Sequence, residues 1–140
     1  MNVLIVSRKQ SARDHLRSTL GPGWEVAEAE NGLVALALAR DEDVDLVIAD
    51  ETTEPYGAFG LSRELKLFTD APAVLILLER GQDTWLAAWS GADRWLLQPA
   101  DPFEVAETAR ALVAERNGGI PDDGGTEGDV PADESEPVAG

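Results

Sequence analysis

Short apolar runs alternate with amphipathic segments along most of the chain. The runs at 3–6, 46–49 and 74–78 are continuously apolar, which is typical of strands buried on both faces of a parallel sheet. An alternating run at 24–29 and a short run at 95–97 predict two further strands.

Five segments between and after these strands carry apolar residues at helical spacing. The last of them has a strong start signal, because Asp101 is a capping residue, Pro102 follows it, and Glu104 lies three residues on. The predicted helices span residues 11–20, 33–40, 60–68, 83–90 and 101–115.

Five strands alternating with five helices predict a doubly wound α/β fold. We expect a five-stranded parallel sheet in the flavodoxin-like order 2-1-3-4-5, with helices on both faces. The carboxyl ends of its strands meet at one edge, where sites form in this architecture. Candidate chemistry is therefore expected after Val6, Ala49, Leu78 and Leu97.

The composition changes abruptly after Asn117. Residues 118–140 contain six glycines, three prolines and seven acidic residues, and no basic or aromatic residue. Such a segment buries too little apolar surface to offset the entropy of ordering. We predict a folded domain over residues 1–117 and a disordered acidic tail over 118–140. A solvating role is favoured for the tail, and a DNA-mimicking or intramolecular decoy segment is the alternative.

The overall charge restricts the partners. The 140 residues include 11 basic and 27 acidic ones, a formal net charge of −16, which repels phosphate backbones and anionic lipid. We therefore expect no nucleic-acid and no membrane partner, and a cytoplasmic location. The absence of cysteine and the single histidine, His15, exclude thiolate chemistry and multi-histidine metal sites.

Three segments resemble parts of response-regulator receiver domains. They are WEVAEAENG at 24–32, DLVIAD at 45–50 and GADRWLLQP at 91–99, and they correspond to the second strand and turn, the third strand, and the segment around the fifth strand. The resemblance implies that Asp50 is equivalent to the aspartate that accepts phosphate in two-component phosphorelays. The chain is also similar to short stand-alone receivers of actinobacteria.

Other functional positions depart from the receiver pattern. Ser7 and Arg8 stand where the family has two acids that support Mg²⁺, and one remaining carboxylate is too few for this ion. Leu78 replaces the family's hydroxyl-bearing switch residue, and Gln98 replaces its lysine. We therefore expect no Mg²⁺ or other metal site, no cofactor and no catalytic residue, and the protein is not predicted to be an enzyme.

Two interpretations of Asp50 are open. Arg8 follows the neighbouring strand end, so an ion pair between Arg8 and Asp50 is the favoured interpretation. The alternative is residual phosphorylation of Asp50.

Three tryptophans are candidates for an interaction surface. Trp85 and Trp89 are four residues apart on the predicted fourth helix and share a face, and Trp95 stands where receivers have an aromatic switch residue. Receivers pair through the surface of their fourth helix, fifth strand and fifth helix. Tryptophan is also enriched at binding hot spots, but packing of these side chains in the core remains open.

The leading functional hypothesis is an atypical receiver, or pseudo-receiver, without an output domain. It would act as a phosphorylation-independent signalling module that binds a protein partner or a second copy of itself. The alternative is a phosphotransfer-competent single-domain response regulator that accepts phosphate on Asp50.

Overall fold

The structure, a computed structural model, describes residues 1–55 and 57–118. The strands are β1 (Asn2–Val6), β2 (Glu25–Ala29), β3 (Leu46–Asp50), β4 (Ala73–Leu78) and β5 (Arg94–Leu97). The helices are α1 (Gln10–Leu20), α2 (Gly32–Asp41), α3 (Gly57–Leu65), α4 (Thr84–Trp89) and α5 (Pro102–Arg116), and a 3₁₀ turn (Gly81–Asp83) precedes α4.

The five strands form one parallel sheet in the order β2-β1-β3-β4-β5. Helices α1 and α5 cover one face, and helices α2, α3 and α4 cover the other. The predicted fold class and strand order are confirmed. Apart from α3, the predicted elements agree with the structure to within one residue at each end.

The central strands carry the core. Every residue of β3 and β4 is buried, as are residues 3–6 of β1. Along β3, Leu46 and Ile48 pack towards α1 and α5, whereas Val47 and Ala49 pack towards α2, α3 and α4. Because side chains alternate along a strand, Asp50 follows on the α1 and α5 face.

The prediction for the third helix is shifted by three residues. It was expected at 60–68, but α3 spans Gly57–Leu65. Beyond its end, the amide groups of Leu67 and Phe68 donate to carbonyls three residues earlier, at 3.2 and 3.1 Å, so the chain tightens into turns. The buried Leu61 and Leu65 lie in both the predicted and the observed helix, so the spacing of apolar residues could not distinguish the two positions of the helix.

The start of α5 follows the prediction. The Asp101 side chain accepts a hydrogen bond from the amide of Phe103 at 2.9 Å and caps the helix. Near the end of the helix, Arg116 Nη1 lies 3.1 Å from Asp45 Oδ1, which ties α5 to the loop before β3. The predicted tail lies outside the described residues from position 119 onward.

None of the helices in residues 1–55 and 57–118 combines the length and the apolar character that a membrane span requires.

Two arginines of α1 hold the edge strand β2. Arg13 Nε donates to Glu28 Oε1 at 3.0 Å, and Arg17 Nη2 donates to Glu28 Oε2 at 2.7 Å. The hydrogen bond from Arg17 and the neighbouring charge of both arginines keep the pKa of the Glu28 carboxyl below its ordinary value, although burial opposes this. Glu28 therefore adds stability above the ordinary carboxyl pKa, and this stability is lost as the pH falls through the lowered value.

We predict that Glu28→Gln lowers the free energy of unfolding at pH 7 by about 1 kcal/mol, since it removes the charge that both arginines face. The difference from the unsubstituted protein should shrink below about pH 4, where the carboxyl becomes protonated. Urea unfolding at several pH values measures both effects. Glu30→Gln, at an exposed position beside β2, is the matched control and should change stability little.

Candidate functional site

Asp50 lies at the carboxyl end of β3, next to the end of β1, and its side chain is surrounded by neutral donors. Ser7 Oγ donates to Asp50 Oδ2 at 2.7 Å. Thr52 donates twice to Asp50 Oδ1, from its amide at 3.0 Å and from its hydroxyl at 2.6 Å. Asp50 is only 5% exposed and Ser7 is fully buried, so these bonds replace the water that the carboxylate loses.

The loop that follows β3 is shaped by this arrangement. Thr53 Oγ1 donates to the main-chain oxygen of Asp50 at 2.8 Å. The amide of Arg8 donates to Thr52 Oγ1 at 3.2 Å, and the amide of Lys9 donates to Ser7 Oγ at 3.2 Å. The loops after β1 and β3 are thus joined through the hydroxyls that bind the carboxylate.

The predicted ion pair between Arg8 and Asp50 is wrong. Arg8 Nη1 instead lies 3.4 Å from Glu54 Oε2, and both side chains are more than 60% exposed. The topology places Arg8 beside the strand end, but its long side chain turns to solvent while hydroxyl groups satisfy the buried Asp50. An exposed pair of this kind contributes less than about 1 kcal/mol to stability.

Leu78 does not lie beside Asp50 either. It packs with Ile76 and Ala87 on the opposite face of the sheet, whereas Leu77 lines the cleft that contains Asp50. A shift of one residue along a strand moves a side chain to the other face. Neither leucine has a hydroxyl group, so neither can donate a hydrogen bond to Asp50.

Gln98 does reach the site. It follows β5, its main-chain amide donates to the carbonyl of Leu78 at 2.7 Å, and it lines the same cleft as Asp50. Of the residues predicted at the strand ends, Ser7, Asp50 and Gln98 therefore lie at one site in the structure. The side chains of Arg8 and Leu78 lie outside it.

The residues at the strand ends do not fit a magnesium site. Magnesium requires several oxygen ligands in near-octahedral geometry, but the Asp50 carboxylate already accepts from Ser7 and Thr52, and the chain after β1 supplies Ser7 and Arg8 instead of a second carboxylate. Within residues 1–55 and 57–118, no group of three or more His, Cys, Asp or Glu side chains is placed to hold a metal ion.

Two acidic residues near Asp50, Glu51 and Asp83, form a pair that was not predicted from the sequence. Glu51 Oε2 accepts from the amide of Glu79 at 2.7 Å. Burial raises the pKa of the Glu51 carboxyl, and a hydrogen bond with Asp83 together with its negative charge raises it further. Asp83 is itself 5% exposed and pairs with Arg80 at 3.1 Å. The position of Glu51 directly after Asp50 was the one available signal.

A cleft of about 270 Å³ opens between α1 and the start of α5, with Asp50 among its lining residues. Buried Leu16, Leu77 and Val105 form its apolar lining. His15, the single histidine of the chain, is exposed at this cleft. A lone histidine on a predicted helix gave no indication in the sequence that it would line a cleft.

The tryptophans divide into two groups. Trp85 and Trp89 are 65% and 55% exposed on α4, whereas Trp95 is half-buried and packs against the core under α4. The Arg63 guanidinium lies 4.2 Å from the centre of the Trp89 ring, and Arg63 Nη1 donates to the carbonyl of Trp89 at 3.2 Å. The α4 tryptophans therefore belong to the surface.

The amino-acid sequence of this chain is similar to those of several response regulators. The chemotaxis protein CheY of Halobacterium salinarum is 30% identical over 100 residues, which are 69% of this chain and 83% of that protein. An uncharacterized response regulatory protein of Mycobacterium tuberculosis is 28% identical over 121 residues, which are 81% of this chain and 91% of that protein. No family model matches the chain. The chain belongs to the response-regulator receiver family, the receiver domains of two-component signalling.

Solved structures agree with this assignment. The chemotaxis response regulator CheY4 of Vibrio cholerae matches with a TM-score of 0.72 and 25% identity, over 79% of this chain and 97% of that one. A response regulator of Chloroflexus aurantiacus matches with a TM-score of 0.75 and 23% identity, over 81% of this chain and 97% of that one, and supports the fold.

We predict that Glu51→Gln raises the free energy of unfolding at pH 7 by about 0.5–1 kcal/mol. The folded protein holds the Glu51 proton more tightly than the unfolded chain, so ionisation of Glu51 costs stability as the pH rises through the raised pKa. The gain should vanish below about pH 4, where both states are protonated. Thermal unfolding across pH measures this, with exposed Glu79→Gln as the control. A loss of stability at pH 7 would contradict the prediction.

Proposed function

We propose that this chain is an atypical receiver that signals through protein contact and without phosphotransfer. The observation that carries the proposal is the hydrogen bonding of Asp50, whose two carboxylate oxygens accept from Ser7 and Thr52. Ser7 occupies a position where receivers have an acid that supports magnesium, so the aspartate is bound internally where the metal would be required.

The chemistry of phosphoryl transfer supports the proposal. Transfer to a carboxylate requires charge neutralisation on the transferring oxygens, which a metal ion and a cationic side chain supply. Here the groups that donate to the Asp50 carboxylate, Ser7 and Thr52, are neutral, and no lysine or arginine of the described residues lines the cleft beside it. We propose that Mg²⁺ does not bind at Asp50 and that the domain has no enzymatic activity.

The same contacts favour one fixed arrangement of the site. Ser7 and Thr52 tie the loops after β1 and β3 to the Asp50 carboxylate. A receiver that cannot be switched by phosphate must present its binding surface permanently. We therefore propose that this chain works in the cytoplasm and binds its protein partner constitutively.

The surface of α4 is the proposed contact region. Trp85 and Trp89 expose large apolar areas on one side of the helix, and Leu97 at the end of β5 is 53% exposed. Arg63 covers the ring of Trp89. Tryptophan and arginine are the residues most enriched at binding hot spots, so a protein partner, including a second copy of this chain, is the occupant that we propose.

We predict that Asp50 gains no phosphoryl group during incubation with Mg²⁺ and acetyl phosphate. The reason is that the donors to its carboxylate, Ser7 and Thr52, are neutral and that the cleft beside it is lined by no lysine or arginine of residues 1–55 and 57–118. Intact-mass analysis measures the outcome, with a receiver that retains the acid pair and the lysine as positive control. A stoichiometric phosphoryl adduct that disappears in Asp50→Asn would establish the phosphotransfer-competent alternative.

We predict that Trp85→Ala or Trp89→Ala leaves the fold intact but weakens partner binding by about thirtyfold, which corresponds to about 2 kcal/mol at a hot spot. Melting temperature reports folding. Sedimentation of the purified chain, and quantitative mass spectrometry of proteins captured from the host, report association.

Trp95→Ala is the matched control for these variants. Because Trp95 packs against the core, its truncation should lower stability by about 3 kcal/mol. If Trp85→Ala and Trp89→Ala both unfold the domain, or both retain every association of the unsubstituted protein, the α4 contact region is wrong.

A further inference from the structure

The cleft between α1 and α5 has the form of a small-molecule site. Its volume of about 270 Å³ is close to the lower end of the range of about 300–1,000 Å³ for ligand pockets. Leu16, Leu77 and Val105 form its buried apolar lining, and Ser11, His15 and Gln98 are polar residues at its exposed rim. Apolar walls with a few polar groups are the usual construction of such sites.

The charge in the cleft is unbalanced. Asp50 is the acidic side chain that lines it, and no lysine or arginine among the described residues does so. None of the seven ion pairs formed within residues 1–55 and 57–118 includes Asp50. Its donors are neutral hydroxyl and amide groups, so a buried negative charge faces the cleft without a positive partner.

The charge determines which kind of ligand fits. An anion would meet the Asp50 carboxylate in a partly desolvated space, where repulsion is strong. A neutral apolar molecule would remove more water from the carboxylate and return no hydrogen bond. A metal ion would find one carboxylate in the lining and otherwise only the neutral side-chain oxygens of Ser11, Thr19 and Gln98, which is a poor ligand set for a divalent ion. An ammonium group supplies both the opposite charge and the hydrogen bonds, and an apolar body attached to it would contact the leucines and Val105.

We infer that the cleft between α1 and α5 binds a compact organic amine, with its ammonium group on the Asp50 carboxylate and its apolar part against Leu16, Leu77 and Val105. Three hydrogen bonds already reach the carboxylate. Two carboxylate oxygens together offer about four acceptor sites, which leaves room for one more donor from the cleft. Gln98 lines the rim of the cleft, and its side-chain amide has an oxygen that can accept a second hydrogen bond from the ligand.

This inference rests on the proposed function only in requiring that Asp50 remains free of phosphate. The two are tested separately. The mass assay with acetyl phosphate tests phosphotransfer. Ligand binding is measured on protein that has not been exposed to a phosphodonor.

Benzylamine is a suitable probe, and benzyl alcohol and benzoate are its neutral and anionic counterparts. Titration of the ¹⁵N-labelled full chain should give saturable amide shifts at Ala12, Leu16 and Ala100 with benzylamine. The two counterparts should bind at least about tenfold more weakly, as expected for the loss of a hydrogen bond to a buried charge. Equal affinity for benzyl alcohol, or no saturable shifts with the amine, would overturn the inference.

Variants separate the charge from the shape of the cleft. Asp50→Asn should weaken benzylamine binding by about tenfold or more, whereas Asp14→Asn, which removes an exposed charge from α1 outside the cleft, should leave the affinity unchanged. Ala12→Leu narrows the cleft and retains Asp50, so it tests the site even if Asp50→Asn does not fold. Unchanged affinity in Ala12→Leu, or in folded Asp50→Asn, would show that the amine binds elsewhere.

Discussion

Burial of the central strands on both faces determines where the polar groups of the site lie. Because β3 has no exposed residue, Asp50 emerges at its carboxyl end with little access to water. The register pairs Val6 with Ala49. The residues that follow these two in the sequence, Ser7 and Asp50, are therefore neighbours. A buried carboxylate requires donors, and Ser7 and Thr52 provide them at 2.6–3.0 Å. The hydrogen bonding of the site is thus a consequence of the sheet.

The nature of these donors decides the electrostatics. Hydroxyl and amide groups satisfy the Asp50 oxygens without cancelling the negative charge, and the nearby cation, Arg8, is directed towards Glu54. The acidic pair of Glu51 and Asp83 adds to the negative potential at the same edge of the sheet. Burial and, after it, the neighbouring Asp83 raise the pKa of Glu51. Negative potential of this kind repels anionic groups and attracts a positive group.

The fold was more predictable than the site because it depends on patterns that record burial directly. Continuous apolar runs reveal strands covered on both faces, and the strand order followed from the alternation of elements. The site depends on side-chain direction, which strand-end positions do not specify. Arg8 was placed at the correct edge, yet its flexible side chain pairs with Glu54 rather than Asp50. In the same way, the i, i+4 spacing put Trp85 and Trp89 on one face, but it did not show that this face is exposed.

The strand β5 joins the two regions to which we assign function. Its side chains alternate, so that Trp95 packs under α4 while Leu96 packs towards α1 and α5, and Gln98 follows at the cleft. A ligand shifts a conformational equilibrium only by its difference in affinity for two states. With Asp50 held by Ser7 and Thr52 in one arrangement, occupation of the cleft would stabilise the fold by mass action and leave the α4 surface as it is. Regulation of partner binding by the cleft would therefore require that the hydrogen bonds around Asp50 break, and these bonds, more than the volume of the cleft, set the limit on any switching in this receiver.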